Sequence, residues 1–552
     1  MGNLENTDAL QTSGLSRRSF LAGASLAAIG GAGLALFGCS PDAKDGQGGA
    51  PSAPAAASGS AEQASGIWAI DELAEPSETV QADVAIVGGG GTGTAAAIQC
   101  KQLGLNPIVV DCGQNYGGSF IGTEGMFGVE THWTKEAGED LTLEESVHAC
   151  LTYHHWIPNH QLYMNFFGQT PETVEWVEAL GVKYRDVVSL GISDTTWHVY
   201  ERTAKSSPGA TFMEGLGNAA KDLGVEAYFE TVGKKVIVED GKVAGLLAEK
   251  KDGSVLKIEA PVVIIGSGGY STNTDMIYEL SELVNENIFS VGAEQRNGDG
   301  LKMAKDAGAA FAESPGTVMW CGPWIMGSAW GSDGYCASVQ PTLWINQDAE
   351  RFCNEDLWLD DFAAAGMAVR NQKRTYAVMS DADIEYFVNN GPYGPVFTFG
   401  QVGTPMADAR KQLEDLDAVH IGDSLDDLAK EVDLDAAALK ATVEAYNAAC
   451  EEGIDKNFGK DAAYLKKIEA PYWICEVADG YYTTCGGIKI TPNTEVVDMD
   501  GEVIPGLYAG GSDAGGLYGD SYDVSRAPGS QASWAINSGR LAAKHAAEYL
   551  GK

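Results

Sequence analysis

The chain has 552 residues, 44% of them hydrophobic, and a net charge of −41 from 77 acidic and 36 basic side chains. This length exceeds one ordinary domain, and the apolar content is sufficient for at least two substantial cores. The negative charge would repel phosphate backbones and argues against nucleic acid as a partner. The 69 glycines fall in discrete clusters without a period, so we expect turns and phosphate-binding loops.

Residues 1–39 have the features of an export signal. Residues 16–21, Ser-Arg-Arg-Ser-Phe-Leu, form a twin-arginine pattern, and the weakly apolar run at 21–38 ends at Cys39. We predict twin-arginine export and lipid attachment at Cys39, with the protein at the outer face of the cell membrane. An uncleaved anchor helix over the same run is the alternative. Residues 40–77, initially rich in Ala, Gly, Ser and Pro, are predicted to be a flexible linker.

The ten cysteines give no sign of a metal centre. No two of them stand in a CxxC pair, which argues against zinc, an iron–sulfur cluster or covalently attached haem. We therefore predict no metal, and most cysteines are expected to be small buried side chains.

A dinucleotide-binding motif follows the linker. The β-prone run at 83–87 leads into Gly88, Gly90 and Gly93, which have the GxGxxG spacing, and then into a helix-like segment. The three glycines permit, in turn, a tight turn, the close approach of a pyrophosphate, and close helix–strand packing. Asp111 ends the next apolar run, about twenty residues later, where a carboxylate can accept hydrogen bonds from a ribose.

Two later segments repeat the strand-then-glycine arrangement. Residues 262–269 are an apolar run ending in a glycine turn, and residues 506–511 do the same before a final helix-like segment. A nucleotide-binding fold completed by a C-terminal segment is typical of flavoproteins with two dinucleotide folds. The pattern therefore favours FAD over NAD.

Seven motifs in a fixed order carry a family resemblance. They are GGGGTG (88–93), GSGGY (266–270), NGDGLKMAKDAGA (297–309), INQDAERFCNED (345–356), DDLAKEVDLDAAALKATVEAYNAACEEG (426–453), CGGIKI (485–490) and IPGLYAGG (504–511). The set resembles the flavoprotein subunits of the fumarate reductase and succinate dehydrogenase family, the flavocytochrome c branch in particular. The C-terminal tail is also similar to that of 3-ketosteroid dehydrogenases.

The resemblance implies an α/β fold, in which a Rossmann-like FAD domain with two dinucleotide folds is interrupted by an α+β capping domain. By analogy, the FAD-binding domain covers residues 78–315 and 484–552, and the capping or substrate domain covers residues 316–483. In this family the cap closes over the substrate.

The resemblance also implies which groups contact FAD. Gly118 and Ser119 would lie by the pyrophosphate and ribityl chain, and Gly125 and Met126 by the isoalloxazine. Ser119 stands where respiratory members carry the histidine that bonds to the flavin; serine cannot form that bond, so FAD is expected to be non-covalent. Asp513 would lie near the ribityl hydroxyls. The expected set is completed by Gly268, Asp299 and Ser530.

The groups that bind and protonate a dicarboxylate in the fumarate-reducing members are largely missing. Counting from the motifs places Trp320 and Thr483 at the two histidine positions and Leu359 at the proton-donating arginine. Arg526 is the plausible counterpart of the carboxylate-binding arginine. Because bidentate arginine is an efficient ligand for a carboxylate, this loss makes fumarate an improbable substrate. Five cap tryptophans predict either an aromatic site lining or a cap core: Trp320, Trp324, Trp330, Trp344 and Trp358.

Tyrosine is the available proton donor. With an ordinary pKa of about 10, its neutral hydroxyl can donate to a carbonyl or to a developing enolate. Tyr481 and Tyr482 stand just before Thr483, and Tyr518 precedes the loop that contains Arg526. We predict that these five residues form the catalytic set. Packing with a satisfied hydroxyl is the alternative for each tyrosine.

These patterns lead to one main hypothesis and two alternatives. The main one is an exported FAD-dependent reductase that transfers hydride from flavin N5 to an activated C=C of an enone or enoate, in anaerobic respiration. The chain has no haem, cluster or second nucleotide motif, so electrons are expected from an external donor such as a membrane cytochrome c or quinol dehydrogenase. The alternatives are a ketosteroid-type dehydrogenase working in the oxidative direction and a non-catalytic flavin electron-transfer lipoprotein.

Overall fold

The computed structural model describes residues 66–203, 206–291, 295–397 and 399–552. The predicted export signal, Cys39 and most of the predicted linker lie outside these residues. In the part of the chain that is described, no helix combines the length and the apolar character that a membrane crossing requires.

A six-stranded sheet carries the predicted dinucleotide motif. Its strands lie in the order β18 (Glu495–Val497), β19 (Val503–Ala509), β11 (Val262–Ile265), β2 (Val84–Val87), β3 (Pro107–Val110) and β7 (Glu226–Tyr228). The strands from β19 to β7 pair in parallel. Strands β2, β3 and β11 are buried along their whole length, which explains why each is a continuous apolar run in the sequence.

Two helices pack closely together on this sheet. They are α1 (Gly91–Gln102) and the C-terminal α15 (Ser530–Tyr549). At their contact, a Cβ on Gly539 would lie 2.1 Å from the Thr92 carbonyl oxygen, so only glycine allows this approach. The C-terminal segment therefore completes the fold begun by the first glycine turn, as the sequence predicts.

Two smaller sheets flank the parallel sheet. The four-stranded one has the order β1 (Glu78–Gln81), β10 (Val255–Glu259), β9 (Lys242–Lys250) and β8 (Thr231–Glu239). The three-stranded antiparallel one has the order β4 (Gly125–Phe127), β6 (Trp197–Tyr200) and β5 (Tyr184–Val188).

A further sheet is built around the long strand β17 (Tyr472–Thr484). Its pairing partners are β12 (Ile288–Ser290), β13 (Val318–Ile325), β15 (Thr375–Ser380) and β16 (Val419–Gly422), and β14 (Leu343–Asn346) pairs with β15. We call this the cap sheet. Strand β12 belongs to it although it lies before residue 316, where the sequence analysis begins the capping domain.

The other helices of the described residues connect and cover these sheets. They are α2 (His132–Glu136), α3 (Leu143–Tyr153), α4 (His160–Ala179), α5 (Pro208–Asp222), α6 (Thr274–Ser281), α7 (Asp299–Asp306), α8 (Asp333–Ser338), α9 (Leu357–Asp360), α10 (Phe362–Arg370), α11 (Asp381–Asn390), α12 (Ala409–Glu414), α13 (Leu425–Glu431) and α14 (Ala436–Glu452). Short 3₁₀ helices occupy Gly66–Trp68, Gly118–Gly122, Ala462–Tyr464 and Gly511–Asp513.

Candidate active site

A cavity of about 380 Å³ lies between the glycine turns of the parallel sheet and the cap sheet. Its cofactor half is lined by the glycine turns together with Asp111, Ser119, Arg296 and Gln531. Its aromatic half is lined by Trp330, Phe362, Phe397, Tyr482 and Tyr522. These two names are kept below.

Two positions of the first glycine turn are packed too tightly for any side chain. A Cβ on Gly93 would lie 1.8 Å from the Gly88 carbonyl oxygen, and a Cβ on Gly88 would lie 2.1 Å from the Gly266 carbonyl oxygen. Gly88 also has a φ of +100°, which L side chains rarely adopt. Gly90 lines the cavity, whereas Gly93 lies behind it and sets the helix–strand contact.

Helix α1 presents its N-terminus to the cofactor half. Gly90 occupies the N-cap position and no side chain caps the helix, so the first N–H groups have no intrahelical acceptor. An uncapped N-terminus with its partial positive charge is a binding site for phosphate. Asp111 lines the same cavity, and its carboxylate accepts hydrogen bonds from the N–H groups of Gly89 at 2.6 Å and Gly113 at 2.7 Å.

Arg296 brings a positive charge into the cofactor half, and the sequence analysis did not identify it. Its side chain is 7% exposed and lines the cavity. The Nε donates to the Ser119 hydroxyl at 3.2 Å, and the guanidinium lies over the faces of Gly118 and Gly268, where a Cβ would meet it at 3.0 and 2.7 Å. Glycine at both positions therefore makes room for a cation beside the turns.

Six of the twelve predicted cofactor residues line the cavity: Gly90, Asp111, Gly118, Ser119, Gly125 and Gly268. Gly88 and Asp299 line a small adjoining cavity of about 30 Å³. The others, Gly93, Met126, Asp513 and Ser530, are not among the described residues that line either space.

Asp513 supports the cofactor half from behind. Its fully buried carboxylate accepts from the N–H of Gly268 at 2.9 Å, the N–H of Gly269 at 3.2 Å and the hydroxyl of Ser267 at 2.8 Å. Burial raises the pKa of this carboxyl group, and these hydrogen bonds lower it again in part. Asp513 therefore holds the second glycine turn, and it is not among the residues that line the cavity.

A polar group joins the two halves. The hydroxyls of Thr483 and Ser512 are hydrogen bonded at 3.1 Å, and the Gln531 amide nitrogen donates to the Ser512 hydroxyl at 3.0 Å. All three residues line the cavity. The Gln531 carbonyl oxygen is buried and has no hydrogen-bond partner among the described residues. Such an acceptor is costly unless a bound group donates to it.

Tyr482 is the central side chain of the aromatic half. Its ring centroid lies 5.0 Å from that of Trp330, 5.8 Å from Phe362 and 6.5 Å from Phe397. Its hydroxyl is 3.2 Å from the hydroxyl of Tyr335, which is carried by α8. Burial raises the pKa of Tyr482 and of Tyr335 well above the ordinary value, so both are neutral and able to donate.

Tyr481 faces the opposite side of β17, because neighbouring residues of a strand alternate between faces. Its hydroxyl donates to the Ser271 carbonyl oxygen at 2.9 Å, and its ring packs against Trp320 with centroids 5.4 Å apart. Tyr481 does not line the cavity. Of the two adjacent tyrosines, only Tyr482 is therefore placed to act on a bound molecule.

The loop after the last 3₁₀ helix closes the aromatic half. Asp361 caps α10 by accepting from the Ala364 N–H at 2.9 Å, and it also accepts from the Ser525 hydroxyl at 2.5 Å. This carboxylate ties the first residue of α10, Phe362, to the loop that carries Tyr522. The two rings meet with centroids 6.2 Å apart.

Tyr518, Ser530 and Arg526 lie outside the cavity lining. The Tyr518 and Ser530 hydroxyls are hydrogen bonded at 3.0 Å, and Ser530 donates to the buried Asp523 carboxylate at 2.6 Å. This network stabilises the loop and the start of α15. Arg526 lines neither half, so this geometry gives no support to its predicted role as a carboxylate ligand.

The predicted tryptophans divide between core and site. Trp330 lines the aromatic half, and Trp358 lines a second cavity next to it. Trp320, Trp324 and Trp344 are at most 2% exposed and belong to the hydrophobic core. Leu359, which stands at the position of the family's proton-donating arginine, lines the second cavity and not the first.

Comparison with known proteins places this chain in a family. The sequence matches the family described as FAD binding domain over residues 83–525. The chain belongs to this family. The vinyl phenol reductase of Lactiplantibacillus plantarum is 29% identical, over 85% of this chain and 96% of that protein. An open flavocytochrome c3 fumarate reductase superposes with a TM-score of 0.67 at 25% identity, over 86% of this chain and 79% of that one.

A more distant likeness concerns the fold alone. The 3-ketosteroid Δ1-dehydrogenase of Sterolibacterium denitrificans superposes with a TM-score of 0.68 at 19% identity, over 85% of this chain and 99% of that one. Together the comparisons confirm the predicted family resemblance, the α/β FAD fold and FAD as the cofactor. The chain is an FAD-dependent oxidoreductase.

The residues of the cofactor half fit FAD. The uncapped N-terminus of α1 and the Arg296 guanidinium supply hydrogen-bond donors and positive charge for a pyrophosphate. The glycines of the turns carry no side chain that would block its approach. Asp111 is placed to accept from ribose hydroxyls. The unpartnered Gln531 carbonyl oxygen matches a ring N–H donor. Ser119 offers only a hydroxyl, so a histidyl bond to the flavin does not form there.

Sequence reasoning missed Arg296, Gln531, Tyr335, Phe362 and Phe397. None stands at a diagnostic spacing. The fold brings four of them to the cavity lining and places Tyr335 behind it, against Tyr482. One signal was available for Arg296, because it immediately precedes the NGDG motif.

Proposed function

We propose that this protein reduces an activated C=C bond of a planar, conjugated organic acceptor. The observation that carries the proposal is the aromatic half, in which Trp330, Phe362 and Phe397 surround the hydroxyl-bearing ring of Tyr482. Flat aromatic walls bind a flat unsaturated molecule through stacked and edge-to-face contacts. The relatives named above are a vinyl phenol reductase and a fumarate reductase.

Tyr482 is the proposed proton donor. When bound, FAD supplies a hydride to one carbon of the double bond. The Tyr482 hydroxyl protonates the neighbouring carbon, or donates to the carbonyl that activates it. Tyr335, 3.2 Å away, orients that hydroxyl. The aromatic walls exclude water from this step.

The protonation state of Tyr482 suits a proton donor. Burial raises the pKa of Tyr482 well above the ordinary value, so the hydroxyl rests protonated. A ketosteroid-type dehydrogenase would use the same tyrosine as a base, and assays in both directions distinguish the two hypotheses. A non-catalytic electron carrier has no need of the aromatic half.

Fumarate does not match the aromatic half. Trp330, Phe362, Phe397, Tyr482 and Tyr522 offer no positive charge there. A dicarboxylate held without a cation would leave its charges poorly paired away from water. The acceptor is instead an aromatic or conjugated enone or enoate.

Export, attachment and electron supply complete the proposal. The twin-arginine pattern and Cys39 support a lipid-anchored flavoprotein at the outer face of the membrane. The 552 residues contain no haem or cluster motif of their own, which supports an external donor such as a membrane cytochrome c or quinol dehydrogenase. This arrangement suits anaerobic respiration with a small organic electron acceptor.

The adjacent tyrosines provide the test. FAD-loaded protein is reduced with viologen under anoxia, and flavin reoxidation is followed with benzylideneacetone, cinnamate and fumarate. We expect the aryl alkenes to reoxidise the flavin faster than fumarate. Tyr482→Phe should lower kcat about 10²- to 10⁴-fold, as expected for loss of a general acid, while Tyr481→Phe should change it little.

Two results would contradict the proposal. One is flavin that none of the alkenes reoxidises. The other is a Tyr482→Phe variant that keeps its FAD and works as fast as the Tyr481→Phe control.

A further inference from the structure

A second cavity of about 740 Å³ adjoins the aromatic half. The two cavities share Leu190, Trp197, Phe362, Phe397 and Val524 as lining residues. These five side chains form a common wall, so the second space lies directly beside the aromatic half. A molecule longer than one ring would enter the second space by displacing part of this wall.

The second cavity lies where the three-stranded sheet meets the cap. One wall is the β5–β6 hairpin and the other contains Leu359, Asp360 and Gln401. The turn at Gly191 holds the walls together, because a Cβ there would lie 2.7 Å from the Asp360 carbonyl oxygen and 3.0 Å from that of Leu359. Leu359, which stands at the position of the family's proton-donating arginine, thus lines this space with an apolar side chain.

Two other arginines reach the same space from the opposite wall. Arg185 lies at an irregularity of β5, where the register with β6 shifts between Tyr184 and Asp186. Arg202 follows the end of β6 and lines the cavity too. Both side chains are exposed, and neither is held in an ion pair with another described residue. Guanidinium groups that are not already paired are available to a carboxylate.

Two carboxylates also line the second cavity. Asp186 accepts from the Val187 N–H at 2.9 Å and so turns back on its own strand. Burial and the nearby Asp356 raise the pKa of Asp360. Asp360 lies on the cap wall, across from the arginines.

We propose that Arg185 and Arg202 bind an anionic group at the far end of the substrate, while the reacting double bond lies in the aromatic half. The preferred substrates are thus elongated conjugated alkenes with a carboxylate remote from the alkene. This inference rests on the function proposed above and names the substrate class for the same site.

A matched pair of probes tests it. One is benzylideneacetone carrying a 4-carboxylate, and the other is its methyl ester. FAD-loaded protein is titrated with each, and binding is read from the change in flavin absorbance, with KM and kcat measured separately. We expect the acid to bind about tenfold or more tightly than the ester, the effect of one charge-assisted hydrogen bond.

Charge removal locates the effect. In the double variant Arg185→Gln/Arg202→Gln, Kd and KM for the acid should rise about tenfold or more, with kcat and the ester constants unchanged. Lys183→Gln is the matched control, since Lys183 is an exposed cation on the same hairpin, just before β5, that does not line the cavity. FAD content, measured for every variant, verifies folding.

Three results would overturn the inference: equal binding of acid and ester by the wild type, an acid preference that survives in the double variant, or an equal loss in Lys183→Gln. Because binding is read without turnover, these outcomes are independent of whether either probe is reduced. If the enzyme reduces neither probe, the result counts against the proposed function instead.

Discussion

The two halves of the cavity are built by different means. The cofactor half is built around backbone turns, with glycines at positions where a Cβ would lie 1.8 to 2.1 Å from a carbonyl oxygen. The aromatic half is made of side chains, and the Tyr482 hydroxyl within it lies 3.2 Å from that of Tyr335. One carbon atom added at such a glycine should abolish FAD binding. Removing a group from the aromatic half should instead lower kcat in proportion to the interaction lost.

The largest effect is expected in the glycine turn. Gly93→Val puts its Cβ within 1.8 Å of the Gly88 carbonyl oxygen, and neither the turn nor the helix can yield without breaking the fold. We expect loss of bound FAD and a strongly lowered Tm, measured by flavin-to-protein ratio and thermal unfolding. Gly168→Ala is the control, because its Cβ would meet only the Leu143 side chain, at 3.6 Å. A Gly93→Val protein that still carries a full complement of FAD would contradict this expectation.

His198, on strand β6 of the three-stranded sheet, should make the free energy of unfolding depend on pH. Burial lowers the pKa of His198 from 6.5 to about 4, and its ring nitrogens are hydrogen bonded to Thr131 and Thr196. Between these pH values the unfolded chain binds a proton that the folded chain does not. The free energy of unfolding should therefore fall by about 3 kcal/mol from this group as the pH drops.

Denaturant unfolding at several pH values measures this effect. His198→Gln cannot titrate, so its stability should vary less between pH 6.5 and pH 4 than that of the wild type. Equal pH slopes in the two proteins would contradict the assignment to His198.

A smaller effect is expected from Arg296. Replacing it with glutamine removes the cation that lines the cofactor half and donates to Ser119. We expect FAD affinity to fall about 10- to 100-fold, the loss of one or more hydrogen bonds from a charged group, as measured by titration of apoprotein. Arg526→Gln should leave the affinity unchanged, because Arg526 does not line the cavity. If Arg526→Gln lowered the FAD affinity more than Arg296→Gln, the cofactor contact would belong to Arg526 and not to Arg296.

The smallest effect is expected in the aromatic half. Tyr335→Phe removes one of the two side-chain partners of the Tyr482 hydroxyl, the other being Cys321, but keeps the ring. A hydrogen bond of this kind contributes about 1 kcal/mol, so kcat should fall about fivefold, with FAD binding unchanged. Tyr278→Phe is the control, because its hydroxyl donates to the Asn285 carbonyl oxygen outside the cavity lining. A loss as large as that of Tyr482→Phe would make Tyr335 the donor.

The cofactor half was predictable because its physics is local. A turn that admits only glycine at its first and last positions requires Gly88 and Gly93 at fixed spacing. An uncapped helix N-terminus follows, and Asp111 ends the next strand. Asp513 shows the limit of this reasoning: the family position was identified, but its carboxylate accepts from the turn of residues 267–269 and does not line the cavity.

The aromatic half was only partly predictable, because its residues come from separate elements. Tyr482 was identified from its position before Thr483, and Trp330 was one of five candidates. Phe362, Phe397 and Tyr335 stand at no diagnostic spacing. Their convergence depends on the capping of α10 by Asp361 and on the packing of the cap, which no sequence period encodes.

The amino-acid sequence by itself determined the family, the cofactor and the glycine turns, because close backbone packing leaves no alternative residue at Gly88 and Gly93. Only the tertiary structure decided which of two adjacent tyrosines lines the cavity, that Arg526 lies outside it, and that Arg185 and Arg202 reach a second space beside it. The physical reason is that strand pairing and domain contact fix the direction of each side chain. A one-dimensional pattern fixes only its spacing.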